Sequence, residues 1–298
     1  MQYRQLGNSD LEVSVIGLGC MSLGLDHQQN ARILHCAMDH GINFFDTADL
    51  YDGGENEISL GKAFEGRRDK VIIATKVGNQ RITGQVGWEW NPSKAYIKES
   101  VHHSLKRLKT DYIDLYQLHG GTLQDPISET IEAFEELKQE GHIRHYGISS
   151  IRPNTIREWG NRSKMVSVMT QYSLLDRRPE EFTLGYLHER GIGVIVRGGV
   201  AKGFLIGKEP MEMLGHSEEE VTAIQQRIAE WSSSELSPAV IALAFVKAHE
   251  AVSTIAAGAS SEAQVIENAK AGDFDPHVWE HFEELLQLTR AEKYVSHR

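Results

Sequence analysis

Short apolar runs alternate with helical patterns along most of the chain, and this alternation constrains the fold more than any other feature. Runs such as residues 71–75 and 113–117 are too short for helices, and each is followed by a segment with helical periodicity. Parallel strands need crossover connections, which are usually helices. We count eight strands after an N-terminal hairpin of residues 3–6 and 11–15. The sequence therefore predicts an α/β fold, a (β/α)8 TIM barrel with an N-terminal β-hairpin and an extra C-terminal helix from Pro276 onward.

Local signals set the ends of several elements. Ser217 followed by Glu220 is a capping box for a helix through Trp231, and Asp125 before Pro126 predicts the start of the fourth helix. The predicted barrel strands cover residues 15–18, 44–45, 71–75, 113–117, 145–149, 167–172, 193–197 and 252–256.

The length of the chain agrees with one barrel. A (β/α)8 domain typically needs about 250 residues, and this chain has 298. Clusters rich in Gly or Ser, such as residues 52–54 and 232–234, are a few residues long and lie between periodic segments, as loops do. We therefore expect a single domain over residues 1–298.

Charge and cysteine content exclude several classes of protein. The net charge of −11 and the pI near 5.7 argue against a nucleic-acid partner. The two cysteines, Cys20 and Cys36, form neither a disulfide framework nor a zinc-ligand spacing. We recognise neither a signal peptide nor a run of about 18 apolar residues, so we expect no membrane interaction and a cytoplasmic location.

Four polar side chains stand where strands two, three and four end. Asp46, Lys76 and His119 each follow an apolar run, and Tyr51 lies five residues beyond Asp46. The loops at the carboxyl ends of barrel strands build the active sites of this fold. Each residue alone has an ordinary explanation, because Tyr51 could simply be packed and Asp46 could cap a turn. Together they predict one catalytic pocket.

These four residues suit the reduction of a carbonyl group by hydride transfer. Negative charge develops on the carbonyl oxygen, so the site must supply a proton and positive electrostatics there. Tyr51 is the predicted general acid. Lys76 would lower the pKa of its phenol, and Asp46 would keep Lys76 charged. His119 is expected to orient the substrate by donating a hydrogen bond. None of these side chains can donate hydride, so a cofactor is required.

At these motifs the chain resembles the aldo-keto reductase family, and most closely its bacterial branch of general aldo-keto reductases, often described as stress-related. The matching segments are residues 17–21, 41–51 with Glu57 and Gly61, 75–76, 111–119, 147–150, 171–173 and 257–268. The resemblance implies the (β/α)8 barrel, NAD(P)H bound across the strand ends, and a catalytic tetrad of Asp46, Tyr51, Lys76 and His119.

The resemblance also implies a set of cofactor-binding residues. Ser149, Ser150 and Gln171 would hold the nicotinamide carboxamide, and Asp46 would also lie near the nicotinamide ribose. The other residues expected to contact the cofactor are Gly19, Cys20, Met21, Arg197, Gly198, Lys202, Gly258, Ser260, Ser261, Gln264 and Asn268.

Several positions depart from the commoner family pattern. Ser150 stands where asparagine is usual, and Arg197 stands where many relatives stack an aromatic ring on the nicotinamide. A planar guanidinium can also stack, and its charge would disfavour the oxidised, cationic ring. Many relatives carry lysine and arginine at Gly258 and Gln264, but backbone N–H groups at a helix start can still bind phosphate. We therefore expect NADPH as the cofactor, with NADH as the alternative.

Trp88 and Trp90, in the loop after strand three, are predicted to border the substrate pocket. Indoles on a loop at the barrel mouth are costly to expose without use, although they could instead pack that loop onto the barrel. Aldehydes are expected as substrates ahead of ketones because they are more electrophilic. A monomer is expected.

Two other classes of protein compete with a reductase. A metal-dependent hydrolase or isomerase would need several His, Asp or Glu ligands at strand ends. His142 and His145 lack a third ligand, so no metal site is expected. A cofactor-binding regulatory barrel with little turnover would keep the same fold, and the intact tetrad weighs against it without excluding it.

Overall fold

The computed structural model describes residues 1–82 and 87–298. The strands are β1 (Tyr3–Gln5), β2 (Glu12–Ser14), β3 (Ile16–Gly19), β4 (Phe44–Asp46), β5 (Ile72–Val77), β6 (Asn79–Arg81), β7 (Trp88–Trp90), β8 (Ile113–Leu118), β9 (Ile143–Ser149), β10 (Ser167–Gln171), β11 (Gly193–Arg197) and β12 (Val252–Gly258). The α-helices are α1 (His27–Asp39), α2 (Glu55–Ala63), α3 (Lys94–Leu108), α4 (Ile127–Gln139), α5 (Pro153–Arg162), α6 (Thr183–Glu189), α7 (Glu218–Trp231), α8 (Pro238–Ala248), α9 (Glu262–Lys270) and α10 (Phe282–Gln287).

Eight parallel strands close into a barrel in the order β3, β4, β5, β8, β9, β10, β11, β12. Strand β12 returns to pair with β3, where Ala256 lies opposite Gly17 and Gly258 opposite Gly19. Gly19 permits this close approach, because a Cβ atom there would lie 2.9 Å from the carbonyl oxygen of Ala256. The (β/α)8 barrel predicted from the sequence is confirmed.

A small apolar cluster fills the barrel interior and closes its amino-terminal end. Phe44 and Leu115 point inward and pack in one cluster with Leu6 of the N-terminal hairpin, in which β1 and β2 pair antiparallel. The next residues, Phe45 and Tyr116, point outward into the larger cluster beneath the helices, as side-chain alternation along a strand requires. Because the hairpin covers the amino-terminal end, the carboxyl ends of the strands are left to build a site.

Within the described residues, one helix and one pair of strands were not predicted from the sequence, and one helix start is corrected. The missed elements are α5 and the antiparallel pair β6 and β7. Pro126, and not Asp125, is the N-cap of α4. The Asp125 carboxylate instead accepts hydrogen bonds from the Thr122 backbone N–H at 2.7 Å and from the Trp90 indole at 3.0 Å. Within residues 1–82 and 87–298, no helix is long and apolar enough to cross a bilayer.

Candidate active site

The carboxyl ends of β4 and β5 bring Asp46 and Lys76 together. These strands are neighbours in the barrel, with Asp46 paired to Ala74 in register. Lys76 is fully buried, and its Nζ donates to Asp46 Oδ2 at 2.7 Å and to the Thr47 carbonyl at 2.7 Å. A charge removed from water in this way is tolerated only when it is paired and hydrogen-bonded. The two residues form the buried ion pair that the sequence predicted.

A strained turn brings Tyr51 back over this ion pair. Tyr51 begins a 3₁₀ turn, Tyr51–Gly54, in which Asp52 and Gly53 have φ of 47° and 71°. The phenol oxygen lies 3.3 Å from Lys76 Nζ. Its ring lies edge-on to that of His119, with centroids 6.0 Å apart. All four tetrad residues therefore meet at one end of the barrel.

Burial and the charges of neighbouring groups together determine the pKa values of the tetrad. Burial would lower the pKa of Lys76, but the charge and hydrogen bond of Asp46 raise it overall, so the ammonium is kept charged. Burial raises the pKa of Asp46 against the opposing effect of Lys76. The pKa of Tyr51 is raised, because burial outweighs the lowering effect of Lys76. The predicted direction of the Lys76 effect is correct, but the net direction for Tyr51 is the opposite of the one expected.

His119 is held in its neutral form. Burial, and then the charges of Lys76 and Arg197, lower its pKa to about 3. Its Nδ1 is buried and has no hydrogen-bond partner among the described residues. A neutral imidazole carries one N–H donor, so His119 can still hydrogen-bond a carbonyl oxygen while adding no charge to the pocket.

This depressed pKa predicts how His119 affects stability. Between about pH 6.5 and pH 3 the unfolded chain takes up a proton at His119 and the folded chain does not, so stability is lost as the pH falls through this range. We expect wild type to lose up to about 1.4 kcal/mol per pH unit relative to His119→Gln below pH 6.5. Urea unfolding of both proteins between pH 4 and 8 measures this difference. If the unfolding free energies of the two proteins change equally with pH, the pKa of His119 is not depressed in the folded protein.

Asp49 is a largely buried carboxyl group behind the tetrad that the sequence did not single out. Its Oδ1 has no hydrogen-bond partner among the described residues. Burial and the nearby carboxylate of Glu57 raise its pKa to about 7. Glu57 is fully buried and accepts hydrogen bonds from Thr75 Oγ1 and Arg107 Nε, each at 2.6 Å.

The raised pKa of Asp49 predicts a stabilising substitution. The unfolded chain loses the proton near pH 4 and the folded chain near pH 7, so this carboxyl group reduces stability as the pH rises through that interval. Asp49→Asn should therefore exceed wild type in unfolding free energy at pH 8, by about 1 to 2 kcal/mol after allowance for partial exposure. The advantage should shrink by pH 5. An advantage independent of pH in urea unfolding would rule out ionisation as its cause.

A cavity of about 450 Å³ extends from the barrel mouth along the ends of β11 and β12. Six residues predicted to contact the cofactor line it: Gly198, Lys202, Gly258, Ser260, Gln264 and Asn268. Ser22, Gly199 and Glu267 also line it and were not predicted from the sequence. Glu267 could have been predicted as a lining residue, because it lies three residues after Gln264 and so shares its face of α9.

The start of α9 forms the far wall of this cavity. Ser261 is the N-cap, and its hydroxyl accepts from the Gln264 backbone N–H at 3.3 Å. The Gln264 side chain turns back to accept from the Ser260 backbone N–H at 2.8 Å. Asn268 donates to the Gly258 carbonyl at 3.2 Å. The wall therefore offers serine hydroxyls and a helix N-terminus, both of which suit a phosphate group.

The residues predicted for the nicotinamide end lie at the carboxyl ends of β9, β10 and β11. Ser149 ends β9, and Ser150 is buried with its hydroxyl accepting from the Arg152 backbone N–H at 3.2 Å. Gln171 and Arg197 end β10 and β11 and are hydrogen-bonded to each other at 2.9 Å.

Gly19 is the last residue of β3, and Cys20 and Met21, which follow it, differ in exposure. The Cys20 side chain is fully buried, and burial raises the pKa of its thiol. Met21 is 68% exposed. Cys20 as a whole residue is closed to a ligand in this structure, and its carbonyl accepts from the Asn56 side chain, so the structure does not support its predicted cofactor contact. Met21 presents its side chain.

The two tryptophans of β7 differ in environment. Trp90 packs over Gly78 and Gly120, where a Cβ atom would lie 2.7 and 3.3 Å from its ring. Since Gly120 directly follows His119, the indole of Trp90 stands at the edge of the tetrad. Trp88 is 51% exposed. Within the part of the chain that the structure describes, no three His, Cys, Asp or Glu side chains cluster as metal ligands.

A closed parallel barrel with a buried ion pair, a tyrosine and a histidine at the carboxyl ends of its strands defines an enzyme of the TIM-barrel class. The chain belongs to the aldo-keto reductase family: the model of the Aldo/keto reductase family matches residues 15–288. It is therefore an oxidoreductase of a family that uses NAD(P)H on small carbonyl compounds.

Two bacterial relatives cover the whole chain, and a third covers most of it. The uncharacterized oxidoreductase YqkF of Bacillus subtilis is 50% identical over 307 aligned positions, covering 100% of both chains. The holo form of aldo-keto reductase AKR11C1 from Bacillus halodurans is 52% identical and covers 100% of this chain and 99% of its own, with a TM-score of 0.93. An aldo/keto reductase from Klebsiella pneumoniae in complex with NADP and acetate is 28% identical, covers 93% of this chain and 90% of its own, and has a TM-score of 0.74.

Proposed function

We propose that this protein reduces aldehydes, and with lower efficiency ketones, to alcohols with NADPH as the preferred cofactor and Tyr51 as the general acid. The observation that carries the proposal is the position of Lys76 Nζ, which lies 2.7 Å from Asp46 Oδ2 and 3.3 Å from the Tyr51 hydroxyl. A buried cation beside a phenol stabilises the phenolate that proton donation leaves behind.

The protein supplies the proton and the electrostatics of this reaction. Bound NADPH would supply the hydride. As negative charge develops on the carbonyl oxygen, Tyr51 donates its proton, which its raised pKa keeps in place at neutral pH. Lys76, kept charged by Asp46, then stabilises the phenolate. Neutral His119 donates a hydrogen bond to the same oxygen and orients the substrate beside Trp90.

The residues at the barrel mouth fit a nicotinamide dinucleotide. The cavity on β11 and β12 is concave, carries the cation of Lys202 and ends on the N-terminus of α9, which suits a phosphate group. The chain matches the holo form of the B. halodurans enzyme with a TM-score of 0.93 and its apo form with 0.85. This agreement supports a conformation ready to bind the cofactor.

The proposal also covers the domain organisation, the oligomeric state and the cellular compartment. We propose that residues 1–298 act as one barrel domain and as a monomer. Cys20 and Cys36 are both free, which suits a reducing compartment such as the cytoplasm.

Loss of reduced-nicotinamide absorbance tests the proposal. Purified protein is mixed with a panel of aldehydes and ketones and with NADPH or NADH. We expect turnover on several aldehydes and a higher kcat/KM with NADPH. If nucleotide binds but no compound is turned over, the protein is instead a cofactor-binding regulatory barrel. If neither nucleotide binds, the proposal fails.

A further inference from the structure

A chain of charged and polar side chains runs away from the nicotinamide end of the site. Arg197 Nη1 donates to Gln171 Oε1 at 2.9 Å, and Gln171 Nε2 donates to Asp176 Oδ2 at 2.7 Å. Arg178 then binds both Asp176 oxygens, with Nε to Oδ1 at 2.7 Å and Nη2 to Oδ2 at 2.8 Å. Asp176 thus connects one arginine directly and another through Gln171.

Arg197 and Asp176, which bind the two ends of the Gln171 amide, allow only one orientation of that amide. Its NH2 group can only donate and its oxygen can only accept. Asp176 is a pure acceptor and Arg197 a pure donor, so a reversed amide would place oxygen against oxygen and N–H against N–H. The carboxylate therefore decides which end of Gln171 meets Arg197.

Asp176 is buried and rigid enough to fix this orientation, and Arg197 is close enough to the tetrad for its charge to act on it. The Asp176 side chain is 0% exposed, and its backbone is held in a tight turn by reciprocal hydrogen bonds with Ser173 at 3.0 and 3.2 Å. Arg197 is exposed at the end of β11, yet its charge lowers the pKa of His119 and opposes the rise in that of Tyr51. A rigid buried carboxylate therefore anchors a cation beside the tetrad.

We propose that Asp176 is a positioning residue, which fixes the Gln171 amide and thereby holds the Arg197 guanidinium over the nicotinamide end of the site. The proposal rests on the proposed function for the ligand that Arg197 meets there. A cation in this place disfavours the positively charged oxidised cofactor relative to the reduced one. Asp176 thus contributes to the preference for NADPH over NADP⁺ without touching either.

Asp176 also has a purely structural partner, so the test must separate two roles. Arg178 stacks over the Tyr294 ring at 4.9 Å and ties the C-terminal segment to the barrel through Asp176. Arg178→Met removes this pairing but leaves the carboxylate as acceptor for Gln171. It is the matched control for Asp176→Ala, with both variants measured at the same pH.

The first measurement needs no nucleotide. Crystal structures of the nucleotide-free Asp176→Ala and Arg178→Met variants are compared with that of wild type. We expect the Gln171 amide and the Arg197 guanidinium to leave their positions in Asp176→Ala and to keep them in Arg178→Met. Retention of both positions in Asp176→Ala would overturn the proposal, whatever the protein binds.

The second measurement is the ratio of the Kd for NADP⁺ to the Kd for NADPH. We expect Asp176→Ala to lower this ratio by about fivefold, the effect of an exposed charge at contact distance. Arg178→Met should leave it within about twofold, and Asp176→Ala should add nothing in an Arg197→Met background. Equal ratios in wild type and Asp176→Ala, with only the Tm reduced, would make Asp176 merely structural. If wild type binds neither nucleotide, the proposed function fails, and the crystal structures still decide the placement of Arg197.

Discussion

Tyr51→Phe is expected to reduce kcat for aldehyde reduction by about 100-fold to 10,000-fold, the range for loss of a general acid. The Kd for NADPH should change by less than about twofold. The substitution removes one oxygen atom, which lies 3.3 Å from Lys76 Nζ, and it leaves the ring beside His119. Single-turnover absorbance measurements with preformed enzyme and NADPH separate this loss from cofactor binding and product release.

The raised pKa of Tyr51 sharpens this expectation. Wild-type kcat for reduction should stay level through neutral pH, because the phenol keeps its proton there, and should fall only in alkaline solution as Tyr51 ionises. Tyr3→Phe is a matched control, since Tyr3 is exposed and its hydroxyl donates to the Gly41 carbonyl far from the tetrad. A Tyr51→Phe enzyme with near-normal kcat would transfer the acid role to another group, and His119 would be the first to test.

Much of the fold was predictable because barrel strands leave a strong local signal. Buried parallel strands read as short apolar runs, and Val15 to Leu18 or Ile113 to Gln117 could be placed within a residue or two. Helix α7 was equally clear, since Ser217 and Glu220 form the predicted capping box. The contact between Asp46 and Lys76 could be predicted from the topology, because neighbouring parallel strands end at the same side of a barrel.

The missed elements have weak or non-local signals. Helix α5 is ten residues long and has only two large apolar residues besides its first proline, Ile156 and Trp159, which is too few to distinguish the segment from a loop. Strands β6 and β7 are three residues each, so the alternation of Trp88, Glu89 and Trp90 is too short to predict a strand. The start of α4 was misplaced because the Asp125 carboxylate binds Trp90, a partner that only the tertiary structure supplies.

The site residues were easier to predict than their energetics. The sequence predicted Lys76 beside Tyr51 and a lowered pKa of the phenol, yet burial raises that pKa overall. Burial depends on how many loops cover the barrel mouth, which a linear pattern does not show. The same limit hid Asp49 and the connection from Asp176 through Gln171 to Arg197.

Lys76→Met is expected to have the largest effect on stability of any single substitution at the site. It leaves the Asp46 carboxylate buried without its cation, and breaking a buried pair in this way typically costs about 3 to 5 kcal/mol. Activity should fall along with stability, because the phenolate of Tyr51 loses its stabilising charge. Urea unfolding at pH 8 and aldehyde turnover with NADPH measure the two effects.

The cost of Lys76→Met should depend on pH in a direction that identifies its cause. Without Lys76, burial is opposed only by the Gln117 hydrogen bond and the charge of Arg197, so the pKa of Asp46 rises further above its unfolded value. The variant should therefore regain stability as the pH falls and the carboxyl group is protonated. Asp46→Asn combined with Lys76→Met removes both charges, and it should recover most of the stability at pH 8 while remaining inactive. Equal stability of the single and double variants at pH 8 would show that the loss comes from packing around the Lys76 side chain and not from an unpaired charge.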